Sequence, residues 1–278
     1  MKIRVLMITC NRPAYTELSL RRLCETVPAT ARITVWDNGS STDTIAVLKK
    51  FEAHPAIEQI IYNKTNDKLR VPTNWFWQNA RDADFLSKVD DDCLMPPAWC
   101  ETLTAAHHDI PQAGILGCWR FPDEDYIPEL AERKIQTFGS HRIMRNCWVE
   151  GSGYLMKREV LEKLGLIAEN ESFTGYCIRA AAAGFINGWY YPFLYQEHMD
   201  DPRAPHTGMR TDEDFQRLRP LSAGTFRVRN REEWIQRLKH SAWTLQACSF
   251  QPRDYLGLKA KLRRKIGQWL GKQFLPRA

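Results

Sequence analysis

The chain has 278 residues, 44% of them hydrophobic and 26% charged, with a formal net charge of +6. That length suits one large α/β domain or two smaller ones, and the composition is globular rather than disordered or fibrous. No apolar run approaches the roughly 20 residues that span a bilayer. The apolar part of Met1–Ile8 is too short for a signal peptide, so a cytoplasmic location is expected.

Eight cysteines are scattered without a Cys-x-x-Cys pair, which fits reduced thiols better than a zinc site or a disulfide framework. The positive charge is concentrated at one end. Residues 251–278 hold eight Lys or Arg and one acid, so the rest of the chain is close to neutral. A neutral body argues against nucleic acid as a partner and for a tail that seeks a surface.

Along the chain, Lys2–Thr9 reads as a strand, and Pro13 can open a helix that ends before Pro28. Ile33–Trp36 is a second strand running into the turn cluster Asp37-Asn38-Gly39-Ser40-Ser41, after which Ser41 or Thr42 caps a helix. Gln59–Tyr62 is a third strand, Pro72 begins a helix through Ala80, and Phe85–Val89 is a fourth strand. The alternation predicts a parallel, Rossmann-like sheet. Beyond it, Gly114–Trp119, Cys147–Met156 and Trp189–Tyr195 are strand candidates, and 122–146 and 199–224 read as loops. Arg158–Leu164, Ser172–Ala183, 231–247 and 254–274 read as helices.

In parallel sheets, ligands bind beyond the carboxyl ends of the strands. Three polar clusters fall there: Thr9-Cys10-Asn11-Arg12, Asp37-Asn38, and Asp90-Asp91-Asp92. Like-charged carboxylates packed together repel, and a divalent cation relieves that cost. Carboxylate oxygens, completed by water and phosphate oxygens, suit Mg²⁺ or Mn²⁺. The acidic triplet therefore predicts a metal that holds a phosphorylated substrate.

The order of these motifs resembles the family-2 glycosyltransferases of the GT-A fold. The matching pieces are Ile8–Pro13, Trp36–Asp43, Asn74, Val89–Asp92 with Pro96 and Trp99, and Glu150–Arg158. The resemblance implies an α/β fold with a single GT-A domain over 1–224, its nucleotide-binding half being 1–100 and its acceptor half 101–224. A helical basic extension over 225–278 would follow. It implies that Thr9, Asn11, Arg12, Asp37, Lys68, Arg70, Asn74, Asp90 and Asp91 bind a nucleoside-diphosphate sugar. Asp92 would hold Mn²⁺ or Mg²⁺, assisted by Asp90 and His198. Glu150, Gly151, Ser152 and Gly153 would meet a glycan or glycolipid acceptor, glycine allowing close approach to the backbone.

A transfer with inversion needs a base for the acceptor hydroxyl. The family places a carboxylate a few residues before an arginine-bearing helix, but Phe173 and Gly175 stand at those offsets from Arg179. Glu171 and Glu169 are the nearest carboxylates, with Glu150 a third candidate. Surface-glycan or lipid-linked acceptors would agree with the tail, where Leu258, Leu262, Ile266 and Leu270 recur every four residues among lysines and arginines. Such a helix over 254–278 can lie on an anionic membrane or pack on the domain. A nucleotidyltransferase is the first alternative, but Thr9–Pro13 lacks the glycine-rich loop it would carry. A non-catalytic nucleotide-sugar-binding module is the second.

Overall fold

A computed structural model of the chain describes residues 1–257. Eleven strands and ten α-helices alternate as β1 (Ile3–Thr9), α1 (Pro13–Thr26), β2 (Ala31–Asn38), α2 (Thr42–Lys49), β3 (Ile57–Asn63), α3 (Arg70–Asn79), β4 (Phe85–Asp90), β5 (Cys93–Leu94), α4 (Trp99–Asp109) and β6 (Ala113–Gly117). Then come α5 (Pro128–Ala131), β7 (Ile135–Phe138), β8 (His141–Asn146), β9 (Tyr154–Lys157), α6 (Arg158–Leu164), α7 (Phe173–Ala182), β10 (Ile186–Tyr191) and β11 (Glu197–His198). The described part ends with α8 (Asp212–Arg217), α9 (Leu221–Thr225) and α10 (Arg231–Ala247).

Nine strands form one sheet in the order β3-β2-β1-β4-β9-β6-β10-β8-β7. The first four are parallel to one another, and the far half mixes parallel and antiparallel pairs. β1 has neighbours on both sides and helices on both faces, which is why its sequence is an almost unbroken apolar run. Its side chains alternate: Ile3, Val5 and Met7 enter one core, Leu6 and Ile8 the other. The chain order reverses between β1 and β4, and the register sets Ile8 beside Asp90 and, on the other side of β1, Thr9 beside Asp37. All three polar clusters thus leave the sheet at one edge, at the switch point where open α/β sheets bind ligands.

The second half departs from the sequence expectation in four places, one being 199–224, expected as loop, which contains α8 and the start of α9. Residues 122–146, expected as loop, contain the β7–β8 hairpin. The expected strand over 147–156 is extended only from Tyr154, because 147–153 form the irregular glycine turn. The aromatic strand begins earlier, at Ile186. Helix α10 matches its expected span of 231–247 and starts at the Asn230 cap, whose side chain accepts from the Glu233 N–H. Its Trp234, Leu238, Ala242 and Leu245 join the same core as the sheet, so this part of the C-terminal extension is packed on the domain. The expected tail helix lies, from residue 258 onward, outside the described residues. Among the described residues, no helix is long and apolar enough to cross a membrane.

One buried group in this frame carries a pH dependence. His107, on α4, is fully buried with its Nε2 2.9 Å from the Leu155 carbonyl oxygen. Burial pushes its pKa down from 6.5 to about 4. The folded state needs the neutral ring, so its stability contribution is complete above pH 6.5 and is lost as pH falls from 6.5 towards 4. The loss should total about 3 kcal/mol. Urea titrations at pH 7 and 4.5 should show a large drop in wild type and a smaller one in His107→Gln. Equal drops in both would rule this out.

Candidate active site

The site is built where β1, β4 and the loop after β11 meet. Asp91 and Asp92 are buried at the end of β4, while Asp90 keeps about a third of its side chain exposed and pairs with Lys88. Thr9 Oγ1 donates to Asp91 Oδ2 at 2.8 Å. The guanidinium of Arg12, at the start of α1, lies 3.6 Å from Asp91, 3.3 Å from Asp92 and against Asp200. Short antiparallel pairing between β5 and β11 sets His198 opposite Cys93, and the Met199 N–H donates to the Asp92 carbonyl at 2.7 Å. That pairing carries His198 Nε2 to 3.6 Å from Asp92 Oδ2.

Asp92, His198 and Asp200 each offer one ligand atom, all within 4.8 Å of one another, and all three residues are buried. Two carboxylates and an imidazole are a donor set for a divalent cation such as Mn²⁺. In the sequence Asp200 falls only within the 199–224 loop. In the structure Asp201 pairs with Arg203 at 2.7 Å, while Asp200 enters the cluster. Asp90, expected as a ligand, falls outside this group. The Trp234 indole N–H donates to the Asp200 carbonyl at 2.7 Å and fixes that loop. His206, 2.9 Å from Glu197, stands apart from the cluster.

The electrostatics follow from burial. Burial raises Asp91 to about 7, against the pull of Arg12. Asp200 is raised to about 7 by burial and by the neighbouring Asp92. Asp92 is buried as well, but His198 and then Arg12 hold it well below the ordinary carboxylate range. The cluster thus concentrates its ionised charge on the residue at its centre.

The residues expected to meet the nucleotide form a hydrogen-bonded cradle. Asn11 takes a positive φ of 54° and its side chain accepts from the Ser41 N–H at 2.7 Å. Asp37 is buried, with both oxygens near the Ser40 N–H at 3.3 and 3.4 Å. Asn38 donates to the Lys68 carbonyl at 2.9 Å and accepts from the Asp67 N–H at 2.8 Å, so the loop bearing Lys68 is tied to β2. The side chains of Lys68 and Arg70 are exposed at the start of α3. Asn74, expected on the nucleotide, bonds with both ends of its amide to the Ile167 backbone, at 2.9 and 3.1 Å. It ties α3 to the loop that carries Glu169 and Glu171.

At the turn expected to meet an acceptor, the Ser152 hydroxyl accepts from the Asp90 N–H at 2.9 Å, and the Gly153 N–H donates to the Lys88 carbonyl at 2.8 Å. Gly153 has a φ of +66°, and a Cβ there would lie 1.8 Å from Gln196 Oε1. Glycine is required at this position by both conformation and space. Gly151 is free of such crowding, its Cβ direction meeting only Phe173 at 3.9 Å. Glu150 is part-buried 2.6 Å from Arg120, whose Nη1 lies 3.5 Å from His198 Nε2. Burial raises the pKa of Glu150, against the pull of Arg120 and His198. Arg120 was missed by sequence reasoning, since nothing in Cys118-Trp119-Arg120 marks it as a site residue.

Glu171 is clamped by Arg179, at 3.0 Å to Nε and 2.8 Å to Nη2, and also accepts from the Ala168 N–H at 3.2 Å. Glu169 is exposed on the same loop.

A sheet of this order, ending in buried carboxylates at its switch point, defines the GT-A class of α/β fold. The glycosyl transferase family 2 model matches residues 4–165, and the chain belongs to that family of glycosyltransferases. Solved structures agree on the fold. The mannosyltransferase PcManGT from Pyrobaculum calidifontis, in complex with GDP-Man and Mn²⁺, is 18% identical with a TM-score of 0.60, covering 97% of this chain and 80% of that one. S. aureus TarS 1-349 is 18% identical with a TM-score of 0.54, covering 98% and 78%. GalNAc-T7 with UDP, GalNAc and Mn²⁺ is 14% identical with a TM-score of 0.55, covering 71% and 44%. No curated protein matches the sequence.

Proposed function

We propose that this glycosyltransferase moves a sugar from a nucleoside-diphosphate sugar to a hydroxyl of a surface-glycan or lipid-linked acceptor, with inversion, and that it depends on Mn²⁺ or Mg²⁺. The observation that carries the reading is the buried convergence of Asp92, His198 and Asp200 at the end of β4. These three residues would hold the cation. When bound, it neutralises charge on the diphosphate leaving group. The likeness to proteins solved with GDP-Man and Mn²⁺, and with UDP-GlcNAc, supports a nucleotide-sugar donor.

The remaining roles fall to the chain's own groups. Thr9, Asn11, Asp37 and the Asn38-tethered loop form the floor on which base and ribose rest. Arg12, held between the carboxylates, adds positive charge beside the diphosphate, and Lys68 and Arg70 supply exposed cations at the rim. Asp91, bound by Thr9, sets the orientation of the β4 end. The Glu150–Ser152–Gly153 turn borders the acceptor space, with Arg120 between Glu150 and His198.

The base is assigned to the loop before α7. Both oxygens of the Glu171 carboxylate are occupied, by the Arg179 guanidinium and the Ala168 N–H. Glu171 therefore fixes the loop through Arg179, and Glu169 is the carboxylate free to take the acceptor proton. The membrane reading of the basic tail also stands as a proposal and fits a lipid-linked acceptor.

Three results test this reading. Asp92→Ala and Asp200→Asn should each lower turnover at least roughly a hundredfold, the scale of removing one transition-state electrostatic contact. A thermal-shift panel of UDP, GDP, dTDP and CMP sugars should show stabilisation by one nucleotide that requires Mn²⁺. Near-normal turnover in Asp92→Ala would refute the cation site. Glu169→Gln should reduce transfer by roughly 10²–10⁴ while leaving donor binding intact. An unchanged rate would move the base elsewhere.

A further inference from the structure

We propose that a groove beside α10 binds the distal part of an oligosaccharide acceptor, with Trp243 as its stacking platform. The inference rests on the proposed glycan acceptor and extends it from a reacting hydroxyl to a chain of sugars.

Helix α10 has two faces. One inserts Trp234, Leu238, Ala242 and Leu245 into the core. The other carries Gln236, Lys239, His240 and Trp243, at the i, i+3, i+4, i+7 spacing that aligns side chains on one face. Nine tryptophans lie in the described residues, and eight of them are buried or half-buried; Trp243 alone is exposed, at 48%. The His240 ring stacks on it, with centroids 5.7 Å apart and planes at 20°, and the indole keeps about half of its surface exposed.

Across from this face lie Glu124, Asp125 and Ile127, and together they enclose a groove of about 390 Å³. That volume falls within the range of small-molecule sites. The walls are pinned together. Buried Gln246 donates to the Asp125 carbonyl at 2.8 Å and accepts from the Ile127 N–H at 2.7 Å. Asp125 also pairs with Arg203 at 2.7 Å.

The chemistry matches a neutral saccharide. A pyranose presents a patch of C–H groups that packs on an aromatic face, and its rim of hydroxyls seeks donors and acceptors. Glu124, Gln236 and Lys239 supply both kinds. Lys239 and Glu124 lie 3.9 Å apart, so the groove holds both signs of charge and selects no ionic ligand.

The groove is also close to the reaction centre. Arg203 joins Glu124 and Asp125 to Asp201, the residue after Asp200. Trp234, which braces Asp200, precedes Trp243 by nine residues on the same helix, a rise of about 13 Å. An oligosaccharide of a few residues spans that distance.

A printed glycan array probed with the full chain tests the proposal, using wild type, Trp243→Ala, Trp243→Phe and Asp92→Asn. Wild type should retain one class of oligosaccharide. Trp243→Ala should lose at least about tenfold of that signal with an unchanged melting temperature, and Trp243→Phe should recover part of it. Asp92→Asn should keep the array signal while losing Mn²⁺-dependent nucleotide binding. Retention of Mn²⁺-dependent nucleotide binding by Asp92→Asn would count against the catalytic reading alone. A wild type that binds no glycan, or a Trp243→Ala variant that binds like wild type, would overturn the groove.

Discussion

The arrangement depends on one costly packing choice: three carboxylates, Asp91, Asp92 and Asp200, share a buried space. Charges removed from water carry a penalty of several kcal/mol each unless they are paired and hydrogen-bonded. Arg12 touches all three, His198 approaches Asp92, and Thr9 donates to Asp91. The carboxylates and their partners come from β1, the start of α1, the end of β4, β11 and the loop after it, so the site closes only when all of these elements are in place. Such a cluster is poised for a divalent cation because it already concentrates negative charge at a point from which water is largely excluded.

The rest of the fold can be understood as support for that point. The parallel half of the sheet brings Thr9, Asp37 and Asp90 to one edge through register alone. The antiparallel strand β9 then returns the chain past β4, and the glycine turn before it hydrogen-bonds Lys88 and Asp90. The small β5–β11 pairing delivers His198, and α10 reaches back to fix Asp200 through Trp234. The two halves of the chain thus contribute different parts of one centre, the first two carboxylates and the hydrogen-bonded Asn11–Asp37–Asn38 cradle, the second an imidazole, a third carboxylate and the glycine turn.

Much of the first half was legible because local signals and tertiary role coincide there. Apolar runs, turn clusters and first-turn prolines repeat at βα spacing, and a ligand edge follows from topology. The family resemblance implied His198 beside Asp92, and the β5–β11 pairing brings it there. Asp200 was not anticipated, because Asp200-Asp201-Pro202 has the composition of a turn. Only the β5–β11 pairing and the Trp234 contact separate the turn residue from the site residue. Arg120 was hidden for a similar reason, since a single arginine after a short strand carries no periodic or motif signal. Asn74 matched a family position, yet its amide is consumed by the Ile167 backbone. The β7–β8 hairpin escaped notice because its strands are short and polar, and the pairing of β8 with β10 rather than their own pattern joins them to the sheet.

The central claim is that Asp92, His198 and Asp200 form one cation site serving a nucleoside diphosphate. Anomalous diffraction from crystals soaked in Mn²⁺ with UDP or GDP addresses it most directly. The account predicts a single strong peak in coordination contact with Asp92 and His198, adjoining Asp200 and the diphosphate. A peak bound elsewhere, or none at saturating Mn²⁺, would contradict it.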